Sequence, residues 1–495
     1  MTKGACDPAN EAEGDSAPRP FADKKYLMPE YTGFRPTFPA LWHLWRLKVA
    51  DKLEPFASAA WEKIAKAQKP AVRVAVIDTP VAHKHPNLVG AIDLGLARDF
   101  SVFDTGLFVE RDISGDDKAS RDGLAAKVRE GGGGLAEATR RELEAIQQGK
   151  QGGPARSPFA PAPYGAHGTA IAGLIGARPA RIAFRKPAYL GDSQEDAVTE
   201  KCFPLPYAGI NPFCRIVPIS TTAAPNTRMI LGALEYARLI EAEIVVIAAE
   251  WADGIDRDED CHGWQSVDDA LLSLCRSARV FCAAGNLNSG ALSYPASLSG
   301  CDAAHRPWAV TACDETGRLL TYAPPPLPGH RMLRCLSTEH PRYDRGEKRL
   351  DPWEARDPEI RLPEAAKDYP GRHIIATDPP GRWGYNPSPF EHDPTADRRP
   401  DTTLGTAGHS EPGTSRLSGA SKEHYEIGSL FCRFSGTSAA TALAAGLVSL
   451  ALALERTETS DGDGQSSREA GTDMRQAETR LFDLHLARAL VRRPV

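Results

Sequence analysis

The tripeptide Gly-Thr-Ser occurs twice in this chain, at Ser415 within HSEPGTSRLSG and at Ser438 within FSGTSAATALAAGLVSL. A serine hydroxyl is a weak nucleophile. It needs a base to take its proton, and the base needs a third group to orient it. The two serines differ in their surroundings. Proline and arginine flank the tripeptide of Ser415 and no apolar run follows, which reads as a turn serine. Ser438 follows the strand-like SLFCRFSG and opens SAATALAAGLVSLALAL, small and apolar throughout, which reads as a buried helix. Ser438 then lies in that helix's first turn, where unpaired backbone N–H groups and the helix dipole favour a developing negative charge. Serine is also a common helix cap, so the position alone leaves both readings open.

The chain carries groups that could complete such a site. PYGAHGTAIAGLIGA puts His167 at the start of another small-residue helix, as a base or as a capping histidine. VRVAVIDTPVAHKHPNL puts Asp78 at the carboxyl end of an apolar run, as an orienting acid or as a turn former. RVFCAAGNLNSG ends an apolar run in Gly-Asn, so Asn286 is either an oxyanion donor or a turn residue. Asp78, His167, Asn286 and Ser438 each fall at a strand end or a helix start, and their combination points to nucleophilic catalysis.

Such residues meet only if the scaffold gathers strand ends at one edge. VRVAVI (72–77), IVPI (216–219), EIVVIAA (243–249), RVFCAAG (279–285) and WAVTA (308–312) read as buried strands. NTRMILGALEYARLIEA and WQSVDDALLSLCRSA between them read as amphipathic helices. This alternation predicts an α/β fold with a mostly parallel sheet covered on both faces. In such sheets, sites sit at the carboxyl ends of the strands.

The expected organisation is a disordered N-terminal tail (1–38), an N-terminal helical segment (39–70), a main domain (71–455), a polar linker (456–478) and a C-terminal helix (479–495). Two polar, Gly- and Pro-rich stretches, about 102–160 and 324–428, read as surface insertions on the main domain. In LWHLWRLKVADKLEPFASAAWEKIAKAQK the apolar residues step by three or four, and Pro55 divides the run into two helices. That stripe either packs on the main domain or docks a partner.

Hydrophobic residues make up 41% and charged residues 25% of the 495, which suits a soluble globular protein. A net charge of −6 argues against a nucleic-acid or anionic-membrane binder, and no run reaches the roughly 18 consecutive apolar residues of a membrane span. The N-terminal residues lack the apolar core of a signal peptide, and the ten cysteines are scattered without a CxxC pair. A cytoplasmic location with reduced thiols is expected. Cys275, Cys282 and Cys313 read as small core residues.

The motifs together resemble the subtilase, or subtilisin-like serine peptidase, family. VAVIDTPVAHKHPNL resembles its aspartate motif, HGTAIAG its histidine motif, AAGN its oxyanion motif and GTSAA its serine motif, with Gly446 in the later A-G place. The order Asp, His, Ser is also that of subtilisin. The resemblance covers roughly 71–323 and 429–455. It implies a three-layer α/β/α fold and a serine endopeptidase. Asp78 would orient His167, His167 would take the Ser438 proton, and Asn286 with the Ser438 N–H would hold the oxyanion. Ser415 becomes a bystander.

Three positions depart from the family pattern: Pro80 follows Asp-Thr, and Ala170 and Ala442 replace a histidine and a proline. The strand expected to pair with bound peptide reads IAAEW, with Ala249, Glu250 and Trp251 as substrate-binding candidates. Trp251 could narrow the cleft, and Glu250 could favour basic side chains. The implied substrate is a protein or peptide, with restricted specificity or gating by a regulatory partner. No cofactor is required for catalysis, and the ligands of the structural calcium common in the family cannot be placed. A catalytically silent binding module and a peptide ligase sharing the acyl-enzyme are the alternatives.

Overall fold

A computed structural model of the chain describes residues 41–50, 58–101, 106–110, 113–130, 166–185, 200–205, 207–251, 261–298, 305–339, 374–379, 384–385, 430–458 and 479–491. The strand β1 (Arg73–Asp78) explains its layering. Val74 and Val76 belong to one apolar core, while Ala75 and Ile77 belong to a second. Successive strand side chains face opposite ways, so a strand apolar at every position must be covered on both faces. The alternation repeats along the sheet. In β6 (Arg215–Ser220), Ile216 joins the first core, and Val217 and Ile219 the second. In β7 (Ile244–Ile247), Ile244 and Val246 join the first, and Val245 and Ile247 the second.

The other strands of this sheet are β2 (Arg98–Asp99), β3 (Leu107–Phe108), β8 (Arg279–Ala283), β9 (Trp308–Cys313) and β10 (Arg331–Leu336). The order is β10-β9-β8-β7-β1-β6-β2-β3. Every neighbouring pair is parallel except β2 and β3 at one edge. The five strands expected from the sequence are therefore all present in one sheet, with β1 between β6 and β7.

Helices α1 (Trp42–Arg46), α2 (Ala59–Ala67), α4 (His167–Gly176), α7 (Gly436–Glu458) and α8 (Leu484–Val491) bury their apolar residues in the first core. Helices α3 (Gly115–Arg129), α5 (Thr227–Leu239) and α6 (Cys261–Leu274) cover the other face. Local chemistry sets several starts. Asn226 caps α5 by accepting the Met229 N–H at 2.9 Å, and Ser58 caps α2 by accepting the Trp61 N–H at 3.3 Å. Among the described residues, α7 alone is long and apolar enough to cross a membrane, although no run in the sequence reaches the roughly 18 consecutive apolar residues of a span. Its apolar window is completely buried, which makes it the central core helix here.

Several segments read as peripheral belong to the fold. The Trp61 indole N–H donates to the Ile210 carbonyl at 3.0 Å, and Leu41, Trp42, Leu44 and Leu47 lie in the first core. The N-terminal stripe thus packs on the main domain. The C-terminal helix does likewise, with the Phe482 N–H just before it donating to the Arg334 carbonyl of β10 at 2.7 Å and Leu484 and Ala487 in the first core. The second segment read as an insertion supplies β10 to the main sheet and β11 (Ile374–Thr377), which pairs antiparallel with β12 (Phe431–Phe434). The first supplies β3 and α3. A further hairpin joins β4 (Ala180–Arg185) to β5 (Glu200–Leu205). The expected tail (1–38), most of the linker, Ser415 and the parts of the two insertions other than 106–110, 113–130, 324–339, 374–379 and 384–385 lie outside the described residues.

Candidate active site

Asp78 ends β1 and is 1% exposed. Its Oδ1 accepts the Thr79 N–H at 2.7 Å and lies 3.2 Å from the Thr79 hydroxyl. The carboxylate therefore takes a backbone donor from Thr79 and does not depend on the donor that Pro80 lacks. Thr79 also reaches the next element, because its Oγ1 accepts the Gly168 N–H at 2.9 Å. One residue on, the Ala82 N–H donates to the Thr169 hydroxyl at 2.9 Å. The Asp78 loop and the first turn of α4 are thus bonded together, and they pack so closely that a Cβ on Gly168 would stand 2.0 Å from the Thr79 carbonyl oxygen.

This contact positions His167. Its Nδ1 lies 2.8 Å and 2.9 Å from the two Asp78 carboxylate oxygens. With the Nδ1 proton donated to Asp78, Nε2 carries the free lone pair of the imidazole. Phe434 packs edge-on against the ring, with centroids 5.4 Å apart.

Ser438 lies in the first turn of α7 and is 7% exposed. Its hydroxyl donates to the Ala248 carbonyl, just past β7, at 2.8 Å, and not to His167. The preceding residue, Thr437, joins this turn to the end of β8. The Thr437 N–H donates to Asn286 Oδ1 at 2.9 Å, and the Gly285 N–H donates to the Thr437 hydroxyl at 3.2 Å. Because a backbone N–H can only donate, the Asn286 oxygen faces Thr437 and its NH2 group remains for another acceptor. The four candidates therefore lie along one edge: Asp78 and Asn286 at the carboxyl ends of β1 and β8, and His167 and Ser438 at the starts of α4 and α7, with Ala248 at the end of β7 between them as the acceptor of the Ser438 hydroxyl. The arrangement holds an oriented imidazole, a serine hydroxyl and amide donors together, which is the equipment for acyl transfer.

The substrate candidates divide. Ala249 is half-buried and Glu250 is exposed. Trp251 is 2% exposed; its N–H donates to the Tyr294 carbonyl at 3.0 Å and its ring packs on Tyr294 in the second core. Trp251 therefore fills the interior beside the site and does not stand free in a cleft.

Several other thiols and one histidine among the described residues have structural places. The thiols of Cys214, Cys275 and Cys335 are pushed up to about 12 by burial, and Cys282 and Cys313 well above their usual range, so these groups remain inert core residues. His85 accepts the Asn87 N–H at Nδ1 and donates from Nε2 to the Leu430 carbonyl at 2.8 Å, which makes it a structural bolt. Among the described residues, no group of three or more His, Cys, Asp or Glu could hold a metal ion.

Sequence reasoning passed over Thr79, Thr437 and Phe434. The first two lie inside the motifs, and a hydroxyl beside each reactive group was the available signal. Phe434 gave none beyond its strand-like context.

A family model for the subtilase family matches residues 69–463. No curated protein matches the chain. Similar solved structures include the prenylagaramide maturation protease PagA, at 15% identity and a TM-score of 0.37, covering 87% of this chain and 95% of that one. The epidermin leader peptide processing serine protease of Staphylococcus aureus is 10% identical with a TM-score of 0.44, covering 94% and 85%. A cold adapted subtilisin-like serine proteinase is 12% identical with a TM-score of 0.39, covering 89% and 97%.

Proposed function

The chain belongs to the subtilase family of serine peptidases, and we propose that it is an endopeptidase acting on protein or peptide substrates through Asp78, His167 and Ser438. His167 takes the Ser438 proton as the hydroxyl oxygen attacks the scissile carbonyl, and returns a proton to the departing amine. Asp78 holds the imidazole in its tautomer and stabilises the cation. The Asn286 NH2 group and the Ser438 N–H receive the oxyanion, and water then hydrolyses the acyl-enzyme. The observation that carries this reading is the paired contact of His167 Nδ1 with both Asp78 oxygens, at the edge where the Ser438 turn is bonded to Asn286.

We further propose that activity is restrained, by narrow specificity or by a regulatory partner. The bond from the Ser438 hydroxyl to Ala248 supports this, since the nucleophile must leave that acceptor before His167 can take its proton. Seven of the described cysteines are free thiols, which suits a reducing compartment such as the cytoplasm.

The test is labelling of the purified protein with a fluorophosphonate probe, beside Ser438→Ala and Ser415→Ala. Labelling of the wild type and of Ser415→Ala, lost in Ser438→Ala, is expected. Labelling that survives in Ser438→Ala would end the proposal. Restraint is checked by offering unrelated unfolded proteins, whose rapid degradation would exclude it.

A further inference from the structure

Two turns must keep a fixed separation for the proposed chemistry. One presents Ser438 and the other presents Asn286. They are bonded to each other through Thr437, and both are also bonded to a third segment that carries no reactive group.

That segment is the link between β9 and β10, together with the end of β10. Tyr322 lies in it, 7% exposed. Its hydroxyl accepts the Gly436 N–H at 3.1 Å and donates to the Thr338 carbonyl at 2.8 Å. Beside it, at 3.1 Å, the Ser337 hydroxyl donates to the Gly436 carbonyl at 2.9 Å. Both backbone groups of Gly436 are therefore held by side chains. Gly436 has φ +85°, a conformation that other residues adopt only under strain, and it stands two residues before Ser438. Burial raises the Tyr322 phenol, which keeps its proton for donation.

The backbone of the same tyrosine holds the other turn. The Asn288 N–H donates to the Tyr322 carbonyl at 3.0 Å, and the Asn288 side-chain amide donates to the Thr321 carbonyl at 3.0 Å. Asn288 is two residues past Asn286 and also has positive φ, at +46°. Thr321 is tied in turn to Glu339, whose carboxylate accepts the Thr321 N–H at 3.0 Å and its hydroxyl at 2.6 Å.

We infer that Tyr322 is a positioning residue: its hydroxyl holds the turn of the nucleophile, its carbonyl holds the loop of the oxyanion donor, and together they set the distance between the two. Ser337 completes the grip on Gly436. This inference rests on the peptidase reading above. Removing the hydroxyl leaves Asn288 bonded but frees the Gly436 N–H, so the two turns lose the residue that joins them directly. Binding groups are untouched, and the loss falls on the bond-forming step.

The experiment compares Tyr322→Phe and Ser337→Ala with wild type by the concentration dependence of fluorophosphonate labelling. Tyr236→Phe serves as the control, because it removes another buried hydroxyl bond, to the Leu96 carbonyl at 2.8 Å, at a place unconnected with Ser438. The maximal labelling rate should fall about tenfold in Tyr322→Phe, as for loss of one buried hydrogen bond, with the half-saturating probe concentration unchanged. Ser337→Ala should fall in the same direction, and Tyr236→Phe should match wild type. Hydrogen exchange should quicken at Gly436 in Tyr322→Phe and not at β1. Wild-type labelling rates in Tyr322→Phe, unchanged exchange at Gly436, or an equal loss in Tyr236→Phe would each overturn the inference. If wild type itself is not labelled while exchange at Gly436 responds, the peptidase reading fails and the positioning role with it.

Discussion

The Thr79 hydroxyl accepts the Gly168 N–H at 2.9 Å, so the residue after the acid and the residue after the base are bonded directly to each other. Asp78 and His167 are 89 residues apart in sequence and come from a strand and a helix. The bond between their neighbours makes the pair a single rigid unit, and its geometry does not rely on the ionic contact alone.

Replacing Asp78 by Asn tests the orienting role. The amide can still accept the Thr79 N–H, but it cannot hold the Nδ1–H tautomer as a carboxylate does. Probe labelling and any peptidase activity should fall on the order of a thousand- to ten-thousand-fold, with the thermal midpoint little changed. Retention of more than a tenth of wild-type reactivity would remove Asp78 from the mechanism.

Asn286→Asp separates support from catalysis. A carboxylate keeps an acceptor for the Thr437 N–H, which the structure uses at 2.9 Å, and discards the NH2 donor. The acyl-transfer rate should drop by at least a hundredfold, the usual loss on removing one oxyanion donor. Circular dichroism and melting should stay near wild type. A large fall in melting temperature would instead assign Asn286 a structural task.

Gly168→Ala should be severe for a steric reason. The added methyl would stand 2.0 Å from the Thr79 carbonyl oxygen, and this obstacle is backbone, which cannot rotate away. A loss of about 2–4 kcal/mol is expected from overpacking, together with loss of labelling. Urea denaturation measures the first, and an unchanged midpoint would mean that the two segments separate more easily than their bonds suggest.

Stability should also decline with acid through His43 in α1. Its ring is fully buried, neither nitrogen has a hydrogen-bond partner among the described residues, and burial lowers its pKa from 6.5 to about 3. Below pH 6.5 the unfolded chain binds a proton that the folded chain refuses. Stability is therefore lost as pH falls from 6.5 towards 3. The contribution is on the order of 2 kcal/mol between pH 7 and pH 5. His43→Leu should flatten this part of the pH profile, measured by urea midpoints at each pH; an identical slope in the variant would acquit His43.

The sequence by itself determined where the candidate residues stand and which elements carry them. Asp78 ends an apolar run, and His167 and Ser438 open helices of small residues, because a backbone that approaches this closely tolerates only small side chains. These are local requirements, and they leave local marks. Two-sided strand burial is equally visible, as unbroken apolar runs such as VAVI at 74–77.

Only the tertiary structure decided how these parts are held. The strand β10 lies in a segment whose prolines and charges read as a surface excursion, yet Met332 and Leu333 bury on opposite faces of the sheet. Strand pairing is long-range, and the composition of a short edge strand does not announce its partner. Trp251, aligned with a cleft position, turns into the second core because Tyr294 offers it a carbonyl and a ring. The hold of Tyr322 on Gly436 spans 114 residues, and the Ser438 bond to Ala248 spans 190. Spacing and periodicity describe neighbours along the chain, and such contacts exist only once the sheet has brought distant turns to one edge.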